Sequence, residues 1–214
     1  MNYVLIKQKR KTFKIKITDD CSVEVYAPVK SKLEDINKFV LKNINWIEKN
    51  LNLKKEVLNK NQDIITYKSF YYMGSIFELL KVKQGYNIGD YLVKTRSNNQ
   101  KEIIKKFLKE CADKYLIDRL DYISKQLCIP YNKSKIISAK SKWGSCDSLK
   151  NISLNFKLIM LPKNLIDYVI CHELCHTKEL NHSVRFWDLL KKIGYEKSII
   201  RKEMAKYGIL IRLF

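Results

Sequence analysis

All three histidines of this 214-residue chain fall within twelve positions, CHELCHTKELNH at residues 171–182. His172 and His176 are four apart, a spacing that puts two helical side chains on one face, a turn from each other. The segment is therefore expected to be a helix that ends after His176 and lets His182, six residues on, swing back to the same point. Zinc (Zn2+) suits such a set, because neutral imidazole binds it well and a catalytic zinc takes three protein ligands and leaves one position open. Glu173 is rotated by about 100° from His172, beside the open position and off the metal, where a general base for a metal-activated water belongs. His172, His176 and His182 are thus the expected ligands and Glu173 the expected catalytic carboxylate.

The spacing HExxHxxxxxH is that of the metzincins, which place glycine at its eighth position to make the turn. Here Glu179 occupies that position, so the turn must be made otherwise. Cys171 and Cys175 repeat the four-residue step and thiolates bind zinc, but they lie towards Ile170 and Leu174 and read as core.

No apolar run approaches the eighteen or so residues of a membrane span, and the N-terminus lacks the pattern of a secretion signal. A cytoplasmic protein with reduced cysteines and no membrane partner is expected. The net charge of +20 raises nucleic acid as a partner. However, 36 of the 42 basic residues are lysine and they are spread along the chain, which reads as general composition more than as a dedicated polyanion site. Two clusters stand out, KQKRKTFKIK at 7–16 and the run 125–157.

The fold expected is α+β. Residues 2–8, 11–18 and 21–27 alternate as short antiparallel strands around a TDDC turn, and one helix follows with Ser31 and Glu34 as a capping box. KEVLNKNQD reads as a linker, and residues 64–72, 76–83 and 90–96 as strands broken by a QGYNIGD turn. A long helix runs from about Asn99 to Pro130. This divides the chain into a β-rich, mostly antiparallel region with one helix, 1–97, and a second domain, 98–214. In the latter, 135–142 and 151–157 read as a hairpin around WGSCDSLKN, followed by helices from Pro162, Ser183 and Lys197.

With KSKWGSC (140–146), ISLNFKLIMLP (152–162), YVICHELCHTKELNHSVRFW (168–187) and, more loosely, RKTFKIKI and NINWIEKNL, the sequence resembles the YgjP-like metal-dependent hydrolases, also called YgjP-like metallopeptidases. The resemblance implies a zincin-like C-terminal domain, the same three histidine ligands and Glu173, and a peptide or protein substrate, with KWGSC as the edge strand bordering the cleft. One family label, UTP pyrophosphatase, gives a second reading in which Lys133, Lys135, Lys140, Lys142 and Lys150 receive a nucleoside triphosphate. Against it, phosphate chemistry usually recruits magnesium through carboxylates. A DNA-associated metalloprotease, or a basic nucleic-acid-binding protein, is a third. Cys146 has no histidine left to act as its base and reads as packing. Trp143 is expected to line a cleft, and Phe186 and Trp187 to anchor a helix in the core.

Overall fold

The alternation near the N-terminus produces three short strands, β1 (Val4–Gln8), β2 (Lys14–Ile17) and β3 (Val23–Pro28), in the order β1-β3-β2. β2 and β3 form the expected antiparallel hairpin, but β1 runs parallel to β3, with Val4 opposite Glu24. The hairpin fills one edge of β3, so β1 joins the other edge in the same direction. The expected single helix is two, α1 (Leu33–Lys42) and α2 (Ile44–Lys60). They break at Asn43, whose side-chain Nδ2 donates to the Phe39 carbonyl at 2.7 Å and so competes with the helical ladder. Ser31 caps nothing, since Lys32 precedes α1 with no side-chain cap, while the Ser31 amide closes a turn onto the Pro28 carbonyl at 3.0 Å. α2 continues through most of the expected linker. Val23, Val25 and Ala27 pack against Ile36, Val40 and Ile47.

The structure is a computed structural model that describes residues 2–18, 20–83, 85–89, 91–94 and 97–214. It forms two compact units, Met1–Gln62 and Asp63–Phe214. The break falls at 62/63, where the sequence reading has 97/98, because Phe70, Leu79, Tyr86 and Ile88 bury into the core of the larger unit. These residues belong to or adjoin two small antiparallel sheets. One is β4 (Ser69–Tyr72) with β5 (Ser75–Glu78), and the other joins β6 (Leu80–Val82), β7 (Gly85–Ile88) and β8 (Tyr91–Lys94). Residues 64 and 65 close the short helix α3 (Gln62–Ile65), not a strand. QGYNIGD, expected as a turn, holds β7 with Tyr86 and Ile88 buried. Asp19 of the TDDC turn, Gln84 and Asp90 of QGYNIGD, and Thr95 and Arg96 of the expected strand 90–96 lie outside the described residues.

The long helix is α4 (Gln100–Leu127). Asn99 caps it by accepting from the Glu102 amide, and Cys128 ends it in the left-handed region at φ 51°. Its buried face runs through Ile104, Leu108, Ala112, Leu116 and Leu120, and Cys111 and Tyr115 lie partly buried on its flank. α4 packs on the 3-10 turn Phe156–Met160, all of it buried. The last sheet has the order β10 (Gly144–Cys146), β11 (Ile152–Asn155), β9 (Ser134–Ile137). The two segments expected to form a hairpin instead pair in parallel, β9 with β11, and GSC itself is the antiparallel edge strand. α5 (Lys163–His176), α6 (Val184–Lys192) and α7 (Lys197–Lys206) complete the unit. Among the described residues no helix is long and apolar enough to cross a membrane.

Candidate metal centre

α5 starts after Pro162, whose fixed φ suits a helix start, and buries nearly its whole length, including Glu173 and His176. The helix ends at His176, and the chain returns without any residue of 177–183 at positive φ. In place of glycine, the Lys178 and Glu179 amides donate to the Cys175 carbonyl at 3.0 Å each, and the Ser183 amide donates to Asn181 Oδ1 at 3.2 Å. Ser183 then caps α6 by accepting from the Phe186 amide.

This path brings the three histidines together. His172 Nε2 lies 3.2 Å from His176 Nε2 and 3.0 Å from His182 Nε2, and the three donor atoms lie within 4.8 Å of one another. Tetrahedral zinc with Zn–N bonds of about 2.0–2.1 Å sets neighbouring nitrogens roughly 3.3 Å apart, so the donor set fits that ion. The Glu179 carbonyl, which can only accept, lies 2.9 Å from His176 Nδ1; Nδ1 therefore carries the proton and Nε2 presents its lone pair. Tyr168, one turn back on α5, places its hydroxyl 3.3 Å from His172 Nδ1. Phe186, fully buried, backs all three rings with centroids 4.5–4.8 Å away. Burial and the two neighbouring imidazoles lower the His172 pKa to about 3, and burial lowers that of His176. Both are neutral at pH 7, the state that binds metal.

Glu173 lies outside this donor set. It is 5% exposed, and burial raises its carboxyl to about 8, with the Lys142 charge pulling the other way. Its neighbour is Gly144 on the edge strand, where an added Cβ would stand 2.7 Å from Glu173 Oε1. The expectation that KWGSC borders the cleft as an edge strand agrees with this placement, but it gives Gly144 no role of its own; a glycine inside a strand signals such a close approach.

Two further residues were not anticipated. Asn155 is fully buried, donating through Nδ2 to the carbonyls of Ala139 and Lys142 at 2.9 and 2.8 Å. It thereby fixes the loop that carries Lys142 into β10. Lys157 is also fully buried, donating to the Ala139 and Ile211 carbonyls at 3.2 and 2.7 Å, and burial lowers its pKa to about 8. Their signal is an amide and an ammonium inside the largely apolar ISLNFKLIM.

Cys171 and Cys175 are buried, and burial raises their thiols to about 12 and about 11, so they stay protonated in the core. Cys146 is likewise raised, to about 11. Lys133, Lys135, Lys140, Lys142 and Lys150 are all exposed. Phe186 has the expected core position, but Trp187 is only partly buried and its ring lies 5.9 Å from that of His182.

The family model "YgjP-like, metallopeptidase domain" matches residues 11–207. Two solved metallopeptidase zymogens are similar over about half of the chain. Jannalysin of Methanocaldococcus jannaschii is 26% identical with a TM-score of 0.38, over 44% of this chain and 93% of that one. Abylysin of Pyrococcus abyssi is 23% identical with a TM-score of 0.39, over 45% and 96%. No curated protein matches.

Proposed function

Because the chain belongs to the YgjP-like metallopeptidase family, we propose that it hydrolyses peptide bonds with zinc held by His172, His176 and His182 and with Glu173 as the general base. The observation that carries this reading is three inward-facing imidazole nitrogens beside a buried carboxylate that is not one of the donors. When bound, zinc supplies Lewis acidity, polarising the substrate carbonyl and lowering the pKa of water towards 7. Glu173 takes the proton from the attacking water and hands it to the leaving amine. Burial raises its carboxyl above an ordinary one, so a proton taken from the water is held more firmly until the amine leaves. Tyr168 and the Glu179 carbonyl hold the His172 and His176 rings from behind, and Phe186 keeps water from their inner faces.

The peptide class follows from the matched family model, a metallopeptidase domain, and that match lends no support to a nucleotide or a nucleic acid. The outer edge of β10 offers unpaired backbone groups to an extended chain, a common way of binding peptides. Glu173→Gln tests the reading: kcat on a peptide panel is expected to fall by about 10²–10⁴-fold while bound zinc is retained. Undiminished hydrolysis by that variant would remove Glu173 from the mechanism.

A further inference from the structure

The Trp187 ring, which borders the histidine cluster at 5.9 Å from His182 and 6.4 Å from His172, carries two cations on α7. Lys197 Nζ stands 4.3 Å from the ring centroid and the Arg201 guanidinium 5.9 Å. They are four apart, so they project from one face of α7. Both are exposed, and neither makes a hydrogen bond or ion pair with a described residue, although the acids Asp188 and Glu196 adjoin Trp187 and Lys197 in sequence. Arg119, by contrast, is fully engaged, donating to both Asp167 oxygens at 2.7 Å.

An exposed lysine side chain is ordinarily mobile in solution, and ordering it costs up to about 2 kcal/mol. Contact with the face of Trp187 orders these two in advance, next to the site. The Arg201 charge also reaches Tyr168, which contacts His172. With one ring between them and His182, the cations lie within about three residues of the reacting bond on an extended peptide, at roughly 3.3 Å per residue.

We propose that Lys197 and Arg201 form a carboxylate-binding subsite, so that the preferred substrates are peptides with an acidic side chain or a free C-terminus within a few residues of the scissile bond. This rests on the peptidase reading above. Arginine binds a carboxylate through two parallel N–H donors and lysine adds a point charge, while Trp187 gives the peptide an apolar wall.

The test is binding of fluorescein-labelled peptides to zinc-loaded, full-length Glu173→Gln protein at about 100 mM salt. One pair of peptides differs by Glu against Gln, a second by a free against an amidated C-terminus. The charged member of at least one pair is expected to bind on the order of tenfold more tightly, since each exposed ion pair adds up to about fivefold. The pair that discriminates identifies the source of the carboxylate. The advantage should shrink below twofold when Lys197→Gln and Arg201→Gln are added, and Lys197→Arg alone should preserve it. Equal binding within both pairs, or a preference that survives in the double-neutral background, overturns the subsite. Failure of the wild type to cleave any of these peptides, with the binding preference intact, would instead sink the peptidase reading and leave the subsite standing.

Discussion

Both units of the molecule are rich in lysine, yet they differ in how far they bury polar groups. In residues 1–62 the shifted acids are surface groups, Asp20 and Glu24, held low by local hydrogen bonds from Thr18 and Tyr26. Among the described residues, the buried polar side chains are Ser69, Asn155, Lys157, Glu173 and His176, all in residues 63–214. Desolvating such groups is costly unless fixed partners meet them. For Asn155, Lys157 and His176 the larger unit supplies those partners from loop 139–143, the Glu179 carbonyl and the C-terminal segment at Ile211. The comparison teaches that the basic charge does not mark where the chemistry lies; buried polar groups do.

The substitution that should sharpen the contrast most is Gly144→Ala. Its methyl group must move the Glu173 carboxylate, so kcat is expected to drop by up to about 10²-fold with zinc content unchanged. Unaltered steady-state kinetics would show that this strand does not position the base.

The pH response comes next in size. Burial lifts Glu173 from an ordinary value near 4.5 to about 8. Between these values the folded, metal-free protein binds more protons here than the unfolded one, so this group's contribution to stability falls as pH rises. His172, lowered from 6.5 to about 3, acts in the other direction, its contribution improving as pH rises from 3 to 6.5. Above pH 6.5 only Glu173 is still titrating of the two. Urea unfolding of metal-free wild type against Glu173→Gln should therefore diverge by about 2 kcal/mol between pH 6.5 and 8, in favour of the variant. Parallel curves would mean that the carboxyl is not desolvated.

The smallest effect belongs to the N-terminal unit. Lys16→Ala removes an ion pair with Glu24 at 3.3 Å, with the lysine side chain half exposed; solvent screening of such a pair means the urea midpoint should barely move and peptide hydrolysis should stay within about twofold. A large loss of activity would break the contrast between the units.

The sequence made the histidine cluster legible because ligand spacing on a helix is a local property: two imidazoles four apart need only the helix to share a face. α4 was readable for the same reason, from Asn99 to the stop before Pro130. What escaped was non-local. The parallel pairing of β1 with β3 and of β9 with β11 depends on which strand takes the centre of each sheet, and period-two patterning does not encode that. Asn43 divides a continuous apolar stripe through one side-chain hydrogen bond. Gly144, Asn155 and Lys157 owe their roles to partners from thirteen to fifty-four residues away. Trp187 looked like another core aromatic beside Phe186, and only the placement of α7 sets two cations on its ring.

The central claim is that three imidazoles hold one metal and that the adjacent carboxylate does not. Metal analysis of purified wild type, Glu173→Gln and His182→Ala, each loaded with zinc and exhaustively dialysed, tests it most directly. One zinc per chain should remain in the first two and be lost from the third. A metal-free wild type, or a Glu173→Gln protein that loses its zinc as readily as His182→Ala, would contradict it.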